Sequence, residues 1–124
     1  MTRWLIRTAG QYPAAMDVTL PAHVERFNEG VRSGDFGPML LAFAADAEMV
    51  FEGVAAGPFV GRAAIAAAYA AQPPSDEVLL LGEPRCEEGI AVADYAWAGD
   101  GTRAGRILLD AHEGSIARIV ITFE

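Results

Sequence analysis

Residues 78–123 read VLLLGEPRCEEGIAVADYAWAGDGTRAGRILLDAHEGSIARIVITF. From Asp76 onward the apolar side chains recur at period two, the spacing that sends alternate side chains to one face of a strand. Four strand-like runs follow: Val78 to Leu81, Ile90 to Trp97, Arg103 to Ala111 and Ile116 to Phe123. Gly82 with Pro84, Gly99-Asp100-Gly101 and Glu113-Gly114 punctuate them, and connections this short join antiparallel neighbours. The C-terminal half therefore reads as an antiparallel meander.

Upstream the period is helical. Thr19 precedes Leu20-Pro21 as a cap before a first-turn proline, and Leu20, Val24, Phe27 and Val31 then share one face of a helix over Leu20 to Arg32, stopped by Ser33-Gly34. Asp35 caps a second helix with Pro38 in its first turn and an apolar face of Met39, Leu40, Phe43 and Ala44, predicted to end near Asp46. Glu48 to Glu52 reads as a short strand, Gly53 to Gly61 as a loop, and Arg62 to Ala71 as an alanine-rich third helix halted by Gln72-Pro73-Pro74. Three helices around one strand, then a meander, predict an α+β fold with the helices packed in the concave face of a curved, mostly antiparallel sheet. Residues 1–19 are expected to form an N-terminal arm, an extra edge strand or a flap built on Trp4-Leu5-Ile6, and residues 20–124 a single domain.

Composition bounds the function. A chain of 124 residues, 52% hydrophobic, can bury one core and one internal pocket but no second substrate domain. Net charge is −8, and all nine basic residues are scattered arginines, so no basic stripe exists for nucleic acid or an anionic membrane. No apolar run approaches a membrane span, and the single cysteine, Cys86, forms no internal disulfide; a cytoplasmic protein is expected. The absence of lysine and the abundance of alanine suggest a GC-rich bacterial coding sequence. No metal-ligand spacing or phosphate loop is present, so neither a metal nor a cofactor is expected.

Val24-Glu25-Arg26-Phe27, Ser33-Gly34-Asp35, Phe43-Ala44-Ala45-Asp46-Ala47, Gly61-Arg62-Ala63-Ala64-Ile65, Tyr69 and the meander to Gly114-Ser115-Ile116 resemble, in this order and spacing, the nuclear transport factor 2-like superfamily, in its ketosteroid isomerase and SnoaL-like (polyketide cyclase) branches. The resemblance spans about Pro21 to Glu124 and implies a cone-shaped α+β barrel, a deep apolar pocket for a small hydrophobic molecule, and a homodimer through the sheet. It does not imply one activity, because a fold of this kind hosts several.

An isomerase of that branch moves a proton beside a carbonyl with a carboxylate base, while a tyrosine and a neutral aspartic acid bind the enolate oxygen. Carried over residue by residue, the helix-one tyrosine falls at Phe27, the base at Phe51 with Glu52 one residue late, and the aspartic acid at Leu108, Asp110 or Ile107. Tyr69 matches a tyrosine that supports the oxyanion donor.

Glu52, Tyr69 and Asp110 are thus the catalytic candidates. A bulge before Gly53 would turn Glu52 inward as a base against Met49, Phe51 and Phe59; otherwise it is a solvated strand-end carboxylate. Tyr95 and Trp97 share a strand face and either stack on a flat ligand, offering phenol and indole hydrogens, or fill an alanine-rich core. The expected pocket comprises Phe27, Phe43, Met49, Phe51, Phe59, Tyr95, Trp97, Ile119, Ile121 and Phe123. Asp110, Arg106 and Asp94 form either a water-activating wall, as the epoxide-hydrolase branch of the same fold would use, or cross-strand pairs on the outer face, which leaves Ile107, Leu109 and Ala111 internal. His23 and His112 are read as surface histidines, and Cys86 lacks a histidine near it in sequence. An isomerase, a non-catalytic dimeric binding or assembly module and a hydrolase all remain open at this stage.

Overall fold

The computed structural model describes residues 16–124, so the expectation for Trp4-Leu5-Ile6 lies outside the described residues. Helix α1 spans Leu20–Ser33; the Thr19 hydroxyl accepts a hydrogen bond from the Ala22 N–H, and Gly34, at φ 83°, closes the helix by donating its N–H to the Gly30 carbonyl. Leu20, His23, Val24, Phe27 and Gly30 form its buried face. Gly30 is a contact point: a β-carbon there would overlap the Phe36 ring, which packs across it and brings helix α2 (Gly37–Leu41) against α1.

Helix α2 stops five residues short of the predicted Asp46. Phe43 instead starts strand β1 (Phe43–Glu52), because the Ala42 carbonyl accepts the Ile116 N–H and Phe43 pairs with Ile116 of the last strand. Local helix propensity in Phe43-Ala44-Ala45 is overridden by that nonlocal ladder. Within the predicted loop Gly53 to Gly61, Phe59–Val60 forms a two-residue strand, β2, beside Met49 and Glu48 of β1. Helix α3 (Arg62–Ala71) buries Ile65 and Tyr69, one turn apart.

The meander follows as β3 (Val78–Glu87), β4 (Ile90–Trp97), β5 (Arg103–His112) and β6 (Ser115–Thr122). Strand β3 runs six residues beyond the predicted Leu81; its register shifts between Leu81 and Arg85, so Gly82 and Pro84 mark an irregularity in an edge strand rather than its end. The sheet order is β2-β1-β6-β5-β4-β3, antiparallel except where β1 lies parallel to β6. Three helices thus pack against a curved six-stranded mixed sheet, the expected α+β architecture.

Strand parity sorts the side chains. Ala47 and Met49 from β1, Ala93 and Tyr95 from β4, Ile107 and Leu109 from β5, and Ile119 from β6 are buried in the core beneath the helices. Ala111, expected to continue that row, is exposed because the β5–β6 register shifts between Asp110 and Ala111. Asn28 ties α1 to the sheet by donating to the Val78 carbonyl at 2.9 Å and accepting from the Val78 N–H at 2.8 Å. Among the described residues no helix is long and apolar enough to cross a membrane.

Candidate ligand cavity

Between α1, α3 and the inner sheet face lies a cavity of about 350 Å³. His23, Val24 and Phe27 of α1, with Ala68, Tyr69 and Gln72 at the end of α3, make its helical wall; Tyr95, Trp97, Ile107, Ile119 and Ile121 make the sheet wall. Phe51, Val54, Ala56, Phe59, Pro74, Val78 and Phe123 complete it. The space exists because α3 presents alanine at position 68, while rings packed against one another bound the opposite side. Phe51 lies 6.1 Å from Phe59 and 5.9 Å from Phe123, and Tyr95 lies 5.7 Å from Trp97 and 6.5 Å from Phe123, centroid to centroid.

Eight of the ten expected pocket residues line the cavity: Phe27, Phe51, Phe59, Tyr95, Trp97, Ile119, Ile121 and Phe123. Phe43 and Met49 do not; both are sealed in the core beside it, with Phe43 5.7 Å from the His23 ring.

The three catalytic candidates separate. Tyr69 is on the wall, 9% exposed, edge-on to Phe36 at 5.0 Å and Phe27 at 6.4 Å; its hydroxyl has no hydrogen-bond partner among the described residues. Burial pushes its phenol well above the ordinary tyrosine range, so it stays protonated and able to donate. Glu52 is exposed and outside the lining: it keeps the opposite strand parity from Phe51, pairs with Thr122 without a bulge, and uses its carbonyl to accept the Phe123 N–H. The inward turn that a base at Glu52 requires does not occur.

Asp110 is likewise outside the lining, opposite Arg118 and on the face away from Ile107 and Leu109. Arg106 and Asp94 share that outer face, 3.9 Å apart, and Asp94 also pairs with Arg103 at 3.3 Å. The Arg103 guanidinium holds the Asp94 carboxyl below its ordinary range. Asp94 and the two arginines form cross-strand pairs as in the second sequence alternative, and neither they nor Asp110 are among the lining residues. His112 and Cys86 are exposed.

Two polar groups of the wall differ from expectation. The Tyr95 hydroxyl donates to the Thr122 carbonyl at 2.9 Å, so its proton is committed to the fold. His23, expected at the surface, is 4% exposed and lines the cavity. Its Nδ1 is buried without a partner among the described residues, and burial, with a smaller contribution from Arg26, holds its pKa down to about 4, so the imidazole is neutral near pH 7. The signal was present in the sequence: Leu20, His23 and Phe27 have the three- and four-residue spacing of one helix face.

No family model matches the sequence, and no curated protein matches it. Solved structures do. A nuclear transport factor 2-like protein of unknown function from Burkholderia xenovorans superposes at a TM-score of 0.63 with 14% identity, over 84% of this chain and 81% of that one. A proposed polyketide cyclase from Sinorhizobium meliloti gives 0.57 and 22%, over 82% and 94% of the two chains. A proposed isomerase of the SnoaL-like family from Agrobacterium tumefaciens gives 0.59 and 17%, over 84% and 96%. The chain therefore has the nuclear transport factor 2-like fold, as its sequence resemblance implied. Identities this low carry the fold and leave the activity to the site.

Proposed function

We propose that this protein binds a compact, uncharged, mostly apolar molecule in the cavity between α1, α3 and the sheet. One observation carries the reading: among the described residues the lining contains no Asp, Glu, Lys or Arg. Apolar and aromatic walls reward burial of a hydrocarbon body, whereas a carboxylate, phosphate or ammonium would be desolvated with no opposite charge to pair it. Orientation comes from the few polar groups on the wall, chiefly the Tyr69 hydroxyl and the His23 ring.

Proton transfer beside a carbonyl is the second reading. The Tyr69 hydroxyl, without a hydrogen-bond partner among the described residues, favours it, since a phenol held protonated on an apolar wall suits an enolate oxygen. Against it, no carboxylate lines the cavity among the described residues, and a base at Glu52 would have to act from outside the lining. Binding without turnover is therefore the reading preferred here.

Calorimetry with naphthalene and 2-naphthoate separates a neutral-ligand site from an anion site. Naphthalene is expected to bind one per chain and the carboxylate at least about tenfold more weakly. Preference for the anion would refute the reading. Deuterium exchange at the α-carbon of a cyclic ketone, accelerated by the wild type and abolished in Glu52→Gln, would replace it with the isomerase.

A further inference from the structure

The His23 imidazole is a polar ring on a mostly apolar cavity wall. It sits on the core-facing side of α1, is 4% exposed, and stands against the Phe43 ring. Among the described residues its Nδ1, buried from solvent, has no hydrogen-bond partner. A phenylalanine would fill the same space without stranding a polar atom, so the ring carries a cost that the fold does not recover. Water is a poor remedy, since a buried water needs two to four polar partners and the cavity lining is mostly apolar and aromatic. Arg26, whose charge acts on His23, donates from one guanidinium nitrogen to the Asp17 carbonyl, while its other terminal nitrogen is buried with no partner among the described residues.

We infer that His23 is the specificity-determining residue of the cavity, and that the ligand is an uncharged ring hydrocarbon bearing a hydroxyl group that hydrogen-bonds to the imidazole. A hydroxyl both donates and accepts, so it completes the ring whichever nitrogen holds the proton. A carbonyl or ether would serve one tautomer only, and a carboxylate would face a neutral imidazole with no cation in the lining among the described residues. This inference rests on the binding reading above and adds to it the polar group that the ligand must carry.

The test compares 2-naphthol with naphthalene by calorimetry at pH 7, in the wild type, His23→Phe and Tyr69→Phe, each checked by thermal melting. The wild type is expected to prefer the naphthol by about fivefold or more, the value of one net hydrogen bond. His23→Phe should reduce that preference to parity while naphthalene affinity stays within about threefold, because only the polar contact is removed. No preference in the wild type, or a preference that survives in His23→Phe and disappears in Tyr69→Phe, overturns the inference while leaving the binding reading intact. Failure of both probes to bind removes the reading and the inference with it. If His23→Phe does not fold, imidazole nitrogen resonances of the wild type decide: naphthol must move a His23 ring nitrogen that naphthalene leaves in place, and equal responses to both overturn the proposal.

Discussion

His23 and the two wall tyrosines show how one type of polar group takes on different roles by what it touches. Tyr95 spends its proton on the Thr122 carbonyl, whereas Tyr69 has no partner among the described residues. Tyr95→Phe is therefore expected to lower unfolding stability by about 1 kcal/mol in urea titrations, and Tyr69→Phe by less. Equal losses would mean that Tyr69 also has a structural bond. His23 makes stability depend on pH. Its pKa is about 4 in the folded chain against an ordinary 6.5, so between these values the unfolded chain binds more protons. Stability is complete above about pH 6.5 and falls as the pH drops toward 4, by on the order of 3 kcal/mol in all. His23→Gln should flatten the unfolding profile across that window, and an unchanged slope would show that other groups carry it. The sequence carries two opposed signals for His23: its position in the 3.6-residue pattern points inward, while its residue type points outward, and position prevails.

At the scale of elements, nonlocal pairing set what local pattern did not. Helices α1 and α3 were legible almost to the residue because caps, prolines and apolar spacing agree there. The boundary between α2 and β1 was not, since Phe43-Ala44-Ala45 suits a helix until Ile116 offers it a strand partner. Glu52 failed for a related reason: only a bulge would have turned it inward, and pairing of Phe51 with Ile121 and Glu52 with Thr122 keeps the ladder regular. The α1–α2 contact is equally specific. Gly30→Ala would ordinarily favour a helix by about 0.5–1 kcal/mol, yet its β-carbon would overlap the Phe36 ring. A net loss of roughly 1–3 kcal/mol in chemical denaturation is expected from that overpacking, and a gain would mean that Phe36 moves aside freely.

In the whole molecule the cavity is what remains when an alanine-rich helix faces an aromatic sheet wall. Its lining was largely readable, because period-two parity put Tyr95 with Trp97 and Ile119 with Ile121 on shared strand faces and the resemblance turned the Tyr95 face toward the pocket. Its chemistry was less so: Asp94, Arg106 and Asp110 share the opposite parity, with Asp94 and Arg106 paired across the outer face, which leaves the cavity uncharged among the described residues. The most direct test of a neutral-ligand cavity fills it from within. Ala68→Trp puts an indole into the space beside Tyr69 on the helical wall. Naphthalene titrated by calorimetry should bind the wild type one to one and bind Ala68→Trp at least about tenfold more weakly, with both proteins folded. Undiminished binding to Ala68→Trp, or none to the wild type at the solubility limit of the probe, would contradict the assignment of the cavity as the ligand site.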